Sequence, residues 1–171
     1  MKVRSIILVA VCLLMSLAAV AAGETKADVF AGYQYTRLDS VNLNGWNGAL
    51  TANLKENIGV TADFSGAYKS QSGVSAKTLT YTFGPVISGH KGKPFVPFAH
   101  ALFGGFHTTV DVLGGSGSAN GFAMLIGGGV DVNMSDKLSI RAGQFDWMSL
   151  HANGSSNNNN FRYSGGVVFH F

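Results

Sequence analysis

From Ala27 onward the chain alternates apolar with polar or small residues, two by two, in eight runs separated by turn-like breaks. The third run is the clearest. Ile58, Val60, Ala62, Phe64, Gly66 and Tyr68 share one face, and Gly59, Thr61, Asp63, Ser65, Ala67 and Lys69 share the other. The last run, Phe161–Phe171, sets Phe161, Tyr163, Gly165, Val167, Phe169 and Phe171 against Arg162, Ser164, Gly166, Val168 and His170. The pattern predicts strands over Ala27–Arg37, Asn44–Leu54, Ile58–Lys69, Ala76–Ser88, Phe95–Val110, Ala119–Asn133, Lys137–Ser149 and Phe161–Phe171.

Three runs depart from simple alternation. Pro85 cannot donate a ladder hydrogen bond, which predicts a distortion in the fourth. The fifth is apolar on both faces, and Gly104-Gly105 suggests a bulge. In the seventh, Leu138, Ile140 and Ala142 lie opposite Ser139 and Arg141, but Gln144 and Asp146 then fall on the apolar side. Either a bulge shifts the register there or the strand leaves its apolar surroundings.

An even number of amphipathic strands can close into an antiparallel up-and-down barrel, which satisfies every backbone group and leaves no edge. Strands of about ten residues suffice to cross a bilayer at a tilt. The second, fourth and sixth connections (Lys55–Asn57, Gly89–Pro94, Met134–Asp136) are mostly short. The first, third, fifth and seventh are generally longer and rich in Gly, Ser and Asn, ending with the run Asn157–Asn160, which reads as a flexible loop. Short turns inside and longer loops outside fit an outer-membrane barrel with both termini in the periplasm.

Composition supports a membrane setting. Charged residues are 12% of the chain, about half the usual share of a soluble domain. Before the first strand, Lys2 and Arg4 precede an apolar run from Ile6, and small residues end it at Ala22. Residues 1–22 therefore read as a secretory signal peptide and residues 23–171 as the barrel domain. Lys2 and Arg4 carry two of the three net positive charges, so residues 23–171 show no basic excess that would suit nucleic acid. Cys12, the sole cysteine, lies in the signal, which excludes thiol chemistry from the barrel.

Three stretches, PFVPFAHALFGG (Pro94–Gly105), GGGVDVNMSDKLSIRAGQFDWM (Gly127–Met148) and the final FRYSGGVVFHF, together with the signal peptide, resemble the small outer-membrane β-barrel proteins with the OmpA-transmembrane-like fold. The resemblance spans residues 23–171 and concerns architecture. It implies an all-β, eight-stranded antiparallel transmembrane barrel in a Gram-negative outer membrane. It also implies that Phe169 and Phe171 form the carboxy-terminal signal read by the barrel-assembly machinery. Outer-membrane lipids and lipopolysaccharide are the expected surroundings, and a monomer the expected state. No peptidoglycan-binding domain follows Phe171, so wall anchoring is not implied.

The candidate site is the interior. Asp63, Lys69, Lys77, Asp131, Arg141 and Arg162 are expected to form a paired polar network filling the narrow lumen, because an isolated buried charge is very costly. Aromatic rims are expected from Tyr35, Trp46, Tyr68, Phe122, Trp147 and Phe161 at the outer interface, and from Phe95, Phe169 and Phe171 at the periplasmic one. No metal, cofactor or catalytic set is expected. The five histidines lack ligand spacing, with His100 and His107 on opposite faces of one strand and His90 beside Lys91 and Lys93 in a solvated turn. His107, Thr109 and Asp111 offer only a weak base-and-hydroxyl pair. The Gly runs lack the Lys and helix of a phosphate loop. A structural or surface-interaction role leads. A narrow channel for ions or very small solutes is the alternative, followed by a lipid-A-modifying enzyme and a soluble lipocalin-like carrier. The carrier would require apolar residues inside and polar ones outside.

Overall fold

The computed structural model describes residues 26–71, 74–90, 92–112, 115–152 and 154–171, with the backbone alone for Gln71, Val74 and Val112. The expected signal peptide lies outside these residues. Eight strands form: β1 Ala27–Leu38, β2 Val41–Lys55, β3 Ile58–Gln71, β4 Val74–Ser88, β5 Phe95–Val112, β6 Gly115–Ser135, β7 Leu138–Ala152 and β8 Ser155–His170. Each pairs antiparallel with the next, and β8 pairs with β1, so the sheet is a closed up-and-down barrel. Closure leaves no unpaired edge.

The strands run further than the alternation suggested, and most of the added length lies at the end away from the termini. Ser70 and Ser75, expected in a loop, face each other across the β3–β4 ladder. Ser116–Ser118 pair with Thr109–Asp111. Asn157–Asn160, expected to be a flexible loop, belongs to β8. Asn160 is buried and donates to the carbonyls of Met148 and Asn157 at 3.3 and 2.9 Å. These Ser and Asn residues, which read as loop signals, are therefore strand residues, because neighbouring strands supply partners that local propensity ignores. At the far end Asp39 takes a left-handed conformation (φ 54°) in the β1–β2 turn, and Gly154 does so (φ 77°) before β8. Thus the two ends differ through strand overhang and not through loop length.

The bulge expected at Gly104-Gly105 is absent. The β4–β5 register runs unchanged from Ser75↔Asp111 to Ser88↔Phe98, with the recorded pairing interrupted at Gly84 and Pro85, as the proline dictates. The glycines let strands and rings approach: a Cβ on Gly105 would strike the Tyr81 ring. A bulge does occur in β7. Asp131 and Val130 face Arg141 and Gly143, leaving Ala142 without a partner on β6, and β8 advances two residues (Gly166 to Ser164) while β7 advances three. This extra residue turns Gln144 and Asp146 inward.

Along the middle of the strands the outward positions are largely apolar, including Val60, Phe64, Tyr81, Phe83, Phe103, Ile126, Phe145 and Tyr163, all exposed. Trp46, Tyr68, Phe122 and Trp147 are exposed, whereas Tyr35 and Phe161 are half-buried, their ring centroids 6.4 Å apart. The interior divides into two halves. Towards the far end, Leu102, Phe106, Ala123, Leu125, Met148 and Leu150 form an apolar cluster against β5–β7. The adjoining wall is hydroxylic, with Ser65 (β3) bonded to Thr80 (β4) at 2.6 Å and Thr78 (β4) to Thr108 (β5) at 3.0 Å. Towards the termini lie the charges.

Candidate functional site: the charged lumen

β8 places Arg162 inward, and its side chain is fully buried. It reaches across the lumen to β3, with Nη1 and Nη2 donating to Asp63 Oδ1 and Oδ2 at 2.7 and 3.1 Å. Its Nε and Nη2 also contact Asp146 Oδ2, at 2.8 and 2.7 Å. One guanidinium therefore ties two carboxylates on opposite walls, a geometry its planar fork suits. Each carboxylate has further partners. Asn47 donates to Asp63 at 2.9 Å, Gln144 donates to Asp146 at 2.8 Å, and His100 Nε2 lies 2.7 Å from Asp146 Oδ1.

The last contact depends on a glycine. His100 on β5 and Asp146 on β7 both pair laterally with Gly127 on the strand between them. A Cβ on Gly127 would strike Asp146 Oδ1 and the Phe145 carbonyl. The empty position lets the two side chains meet over β6.

A second pair joins the first. Arg141 donates from Nε and Nη2 to Asp131 at 2.8 and 3.0 Å, and from Nη1 to Gln144 at 2.7 Å. Its guanidinium lies between two aromatic rings, 4.4 Å from the Phe30 centroid and 4.2 Å from that of Phe98. The cluster borders a cavity of about 650 Å³ that extends from Lys26, Lys93 and Asp136 at the terminal rim to Asp63, His100 and Arg141.

Of the six charges singled out in the sequence, Asp63, Asp131, Arg141 and Arg162 are ion-paired inside. Lys69 is half-buried on the inner face near the far end and joins no described ion pair. Lys77 is a correction: it stands outside, exposed, its Nζ 5.6 Å from the Tyr68 ring centroid. The parity of β4 decides this, because Thr78, Thr80 and Thr82 are buried and residue 77 must face away. Phe169 and Phe171 are exposed at the terminal end, where Phe171 exchanges backbone hydrogen bonds with Ala27. Sequence reasoning missed Asp146, Gln144, His100 and Asn47 as network members. The available signal was the polar pair at positions 144 and 146 on the wrong parity.

At the far end His107 contacts Thr109 at 3.2 Å, but its other ring nitrogen lies 2.6 Å from Asn120 Oδ1 and not against Asp111. At the terminal end Asp28, His170 and Ser139 form a linear contact chain, with His170 Nδ1 2.7 Å from Asp28 Oδ1 and Nε2 2.6 Å from Ser139 Oγ. The distances match those of a nucleophilic triad. Ser139, however, has no exposed surface and donates its proton to Asn133 Oδ1 at 2.6 Å. No carbonyl carbon can reach it.

Solved structures share this arrangement of strands. That of Neisserial surface protein A matches with a TM-score of 0.65 at 12% identity, covering 86% of this chain and 97% of the other. The chain has the fold of the small outer-membrane β-barrels. Two further barrels match over 86% of this chain. Ail, the attachment invasion locus protein of Yersinia pestis, has a TM-score of 0.61 at 17% identity and is covered to 99%. The amino-terminal barrel domain of Pseudomonas aeruginosa OprF has a TM-score of 0.58 at 13% identity and is covered to 97%. No protein-family model matches the sequence, and no curated protein matches it.

Proposed function

We propose that the chain is an integral barrel of a bacterial outer membrane, with a structural or surface-interaction role and a lumen closed by its own side chains. The observation that carries this reading is the sorting of the two faces. Among the described residues, exposed Tyr, Phe, Trp and aliphatic side chains cover the outside, while Asp63, Asp146 and Arg162 are buried inside. Such an apolar exterior would aggregate in water and is stable in lipid. A soluble carrier would need the reverse sorting. Lipid and lipopolysaccharide would contact the aromatic surface, the termini would face the periplasm, and Phe169 and Phe171 would present the last strand to the assembly machinery.

Two features support closure. Arg162 bridges opposite walls, and the apolar cluster from Leu102 to Leu150 fills the far half against β5–β7. An enzymatic role finds no support in the two histidine clusters, because one lacks an acid partner and the other buries its hydroxyl. That two of the similar barrels are described as a surface protein and an attachment protein suits a surface role.

A narrow channel is the second reading, favoured by the 650 Å³ cavity at the terminal end and the hydroxyl-lined wall beyond it. Conductance in planar bilayers separates the two. The closed barrel predicts silent membranes. Discrete openings whose size changes in D63N would make the channel reading correct.

A further inference from the structure

On the outer wall of the β3–β4 ladder the cross-strand pairs change character once. From the terminal end outward they read Ala62↔Phe83, Phe64↔Tyr81, Gly66↔Leu79, Tyr68↔Lys77 and Ser70↔Ser75. Phe64, Tyr81 and Phe83 are exposed aromatics, whereas Ser70 and Ser75 are exposed hydroxyls 3.2 Å apart. Tyr68 and Lys77 stand between the two. For a barrel in lipid, such a change marks the passage from hydrocarbon to headgroups.

Three exposed side chains meet at this boundary. Trp46 on β2 donates from Nε1 to the Tyr68 hydroxyl at 3.2 Å, and the Lys77 ammonium lies 5.6 Å from the Tyr68 ring centroid. The phenol oxygen accepts from the indole, so its own proton is left without an acceptor among the described residues. Lys77 forms no ion pair among the described residues. The other charges on the outside of this end are Arg37 on β1, Asp39 in the β1–β2 turn and Asp111 on β5, and none of them pairs with Lys77.

A cation beside an apolar wall is costly without a counter-charge, although a long stem carries its ammonium towards the headgroups. The counter-charge for Lys77 has to come from outside the chain. The fitting partner offers an anion with two or more acceptor oxygens, for the ammonium and the phenol proton. It also carries an apolar body to cover the aromatics below. A soluble anion meets only the first requirement, and a phosphate-bearing lipid meets both.

We propose that Lys77 and Tyr68, with Tyr68 held by Trp46, form a headgroup site for a phosphate of outer-leaflet lipopolysaccharide, whose acyl chains cover Phe64, Tyr81 and Phe83. This rests on the outer-membrane reading above, which places this end of the barrel in the outer leaflet.

The test uses the full barrel folded in zwitterionic phosphocholine vesicles containing increasing fractions of purified lipopolysaccharide, with tryptophan emission as readout. K77Q should need about fivefold more lipopolysaccharide for half-saturation, the effect of one lysine near an anionic lipid surface. K77R should restore the native value, and Y68F should weaken the response by about twofold or more. K69Q removes a cation from the inner face of the same end and should change nothing. Dephosphorylated lipopolysaccharide should act on the native barrel as the intact lipid acts on K77Q, with no further loss in K77Q itself. Equal half-saturation in K77Q and the native chain, or an equal loss in K69Q, overturns the site. A Lys77-dependent response of the same size to phosphatidylglycerol overturns the assignment to lipopolysaccharide. A chain absent from the outer-membrane fraction would sink the parent reading, whereas an outer-membrane barrel indifferent to K77Q sinks this inference alone.

Discussion

Replacing Arg162 by Met is the sharpest perturbation of the lumen. The side chain is fully buried and makes four contacts of 2.7–3.1 Å to two carboxylates that are themselves buried. Met occupies much of the same volume, so the cavity left is small and the loss is electrostatic. Charge-assisted hydrogen bonds contribute about 1.5–3 kcal/mol each, but the cost of burying the guanidinium offsets most of their sum. The decisive quantity is what remains. Asp63 keeps only the Asn47 amide among its described partners, while Asp146 keeps Gln144 and His100. Breaking a buried pair from one side costs about 3–5 kcal/mol, and the poorly compensated Asp63 places R162M within that range. Equilibrium urea unfolding in lipid vesicles, followed by Trp46 and Trp147 fluorescence, measures it. Adding D63N to R162M removes the orphaned charge and restores at least about 1–2 kcal/mol. An R162M barrel within about 1 kcal/mol of the native sequence, with no gain from D63N, would refute the view that this residue neutralises buried carboxylates.

Three further perturbations test the surroundings. G127A drives a methyl group into Asp146 Oδ1 and the Phe145 carbonyl, and should lower stability by about 2 kcal/mol in the same titration; G115A, where an added Cβ meets nothing, should be within about 0.5 kcal/mol of native. Deleting Ala142 removes the bulge and leaves a regular ladder in which Arg141, Gln144 and Asp146 all still face inward, so the barrel should refold, judged by gel mobility; a variant that cannot refold would show that the bulge itself is required. K77A removes only an exposed cation near Tyr68 and should shift stability by less than about 1 kcal/mol, whereas a loss of the R162M size would return Lys77 to the interior network.

The barrel was legible because its determinant, a period of two repeated eight times, is local and is spent against lipid-like surroundings on one face only. The pairing of strands followed from the even count. What misled was chemistry supplied from a distance. Ser116 and Asn160 read as loop residues because their partners, Asp111 and the Met148 carbonyl, lie on other strands. Gly104-Gly105 read as a bulge, although the glycines there accommodate the Tyr81 backbone and ring. The β7 bulge was visible as a parity fault at Gln144 and Asp146, but its location at Ala142 depends on how β6 and β8 are registered. Within the site, Asp63 and Arg162 could each be assigned inward. That they meet across the lumen depends on the barrel's stagger, which no single strand encodes. His100 was recognised as facing away from His107, yet its carboxylate partner required the gap over Gly127.

The measurement that bears most directly on the central claim is heat-modifiability in fractionated cells. The full chain is expressed in a Gram-negative host, outer membranes are separated, and boiled and unboiled samples are run on a detergent gel. A closed barrel with an apolar exterior predicts a band in the outer-membrane fraction that migrates differently when unboiled. A soluble periplasmic protein whose mobility does not change on boiling would contradict the account.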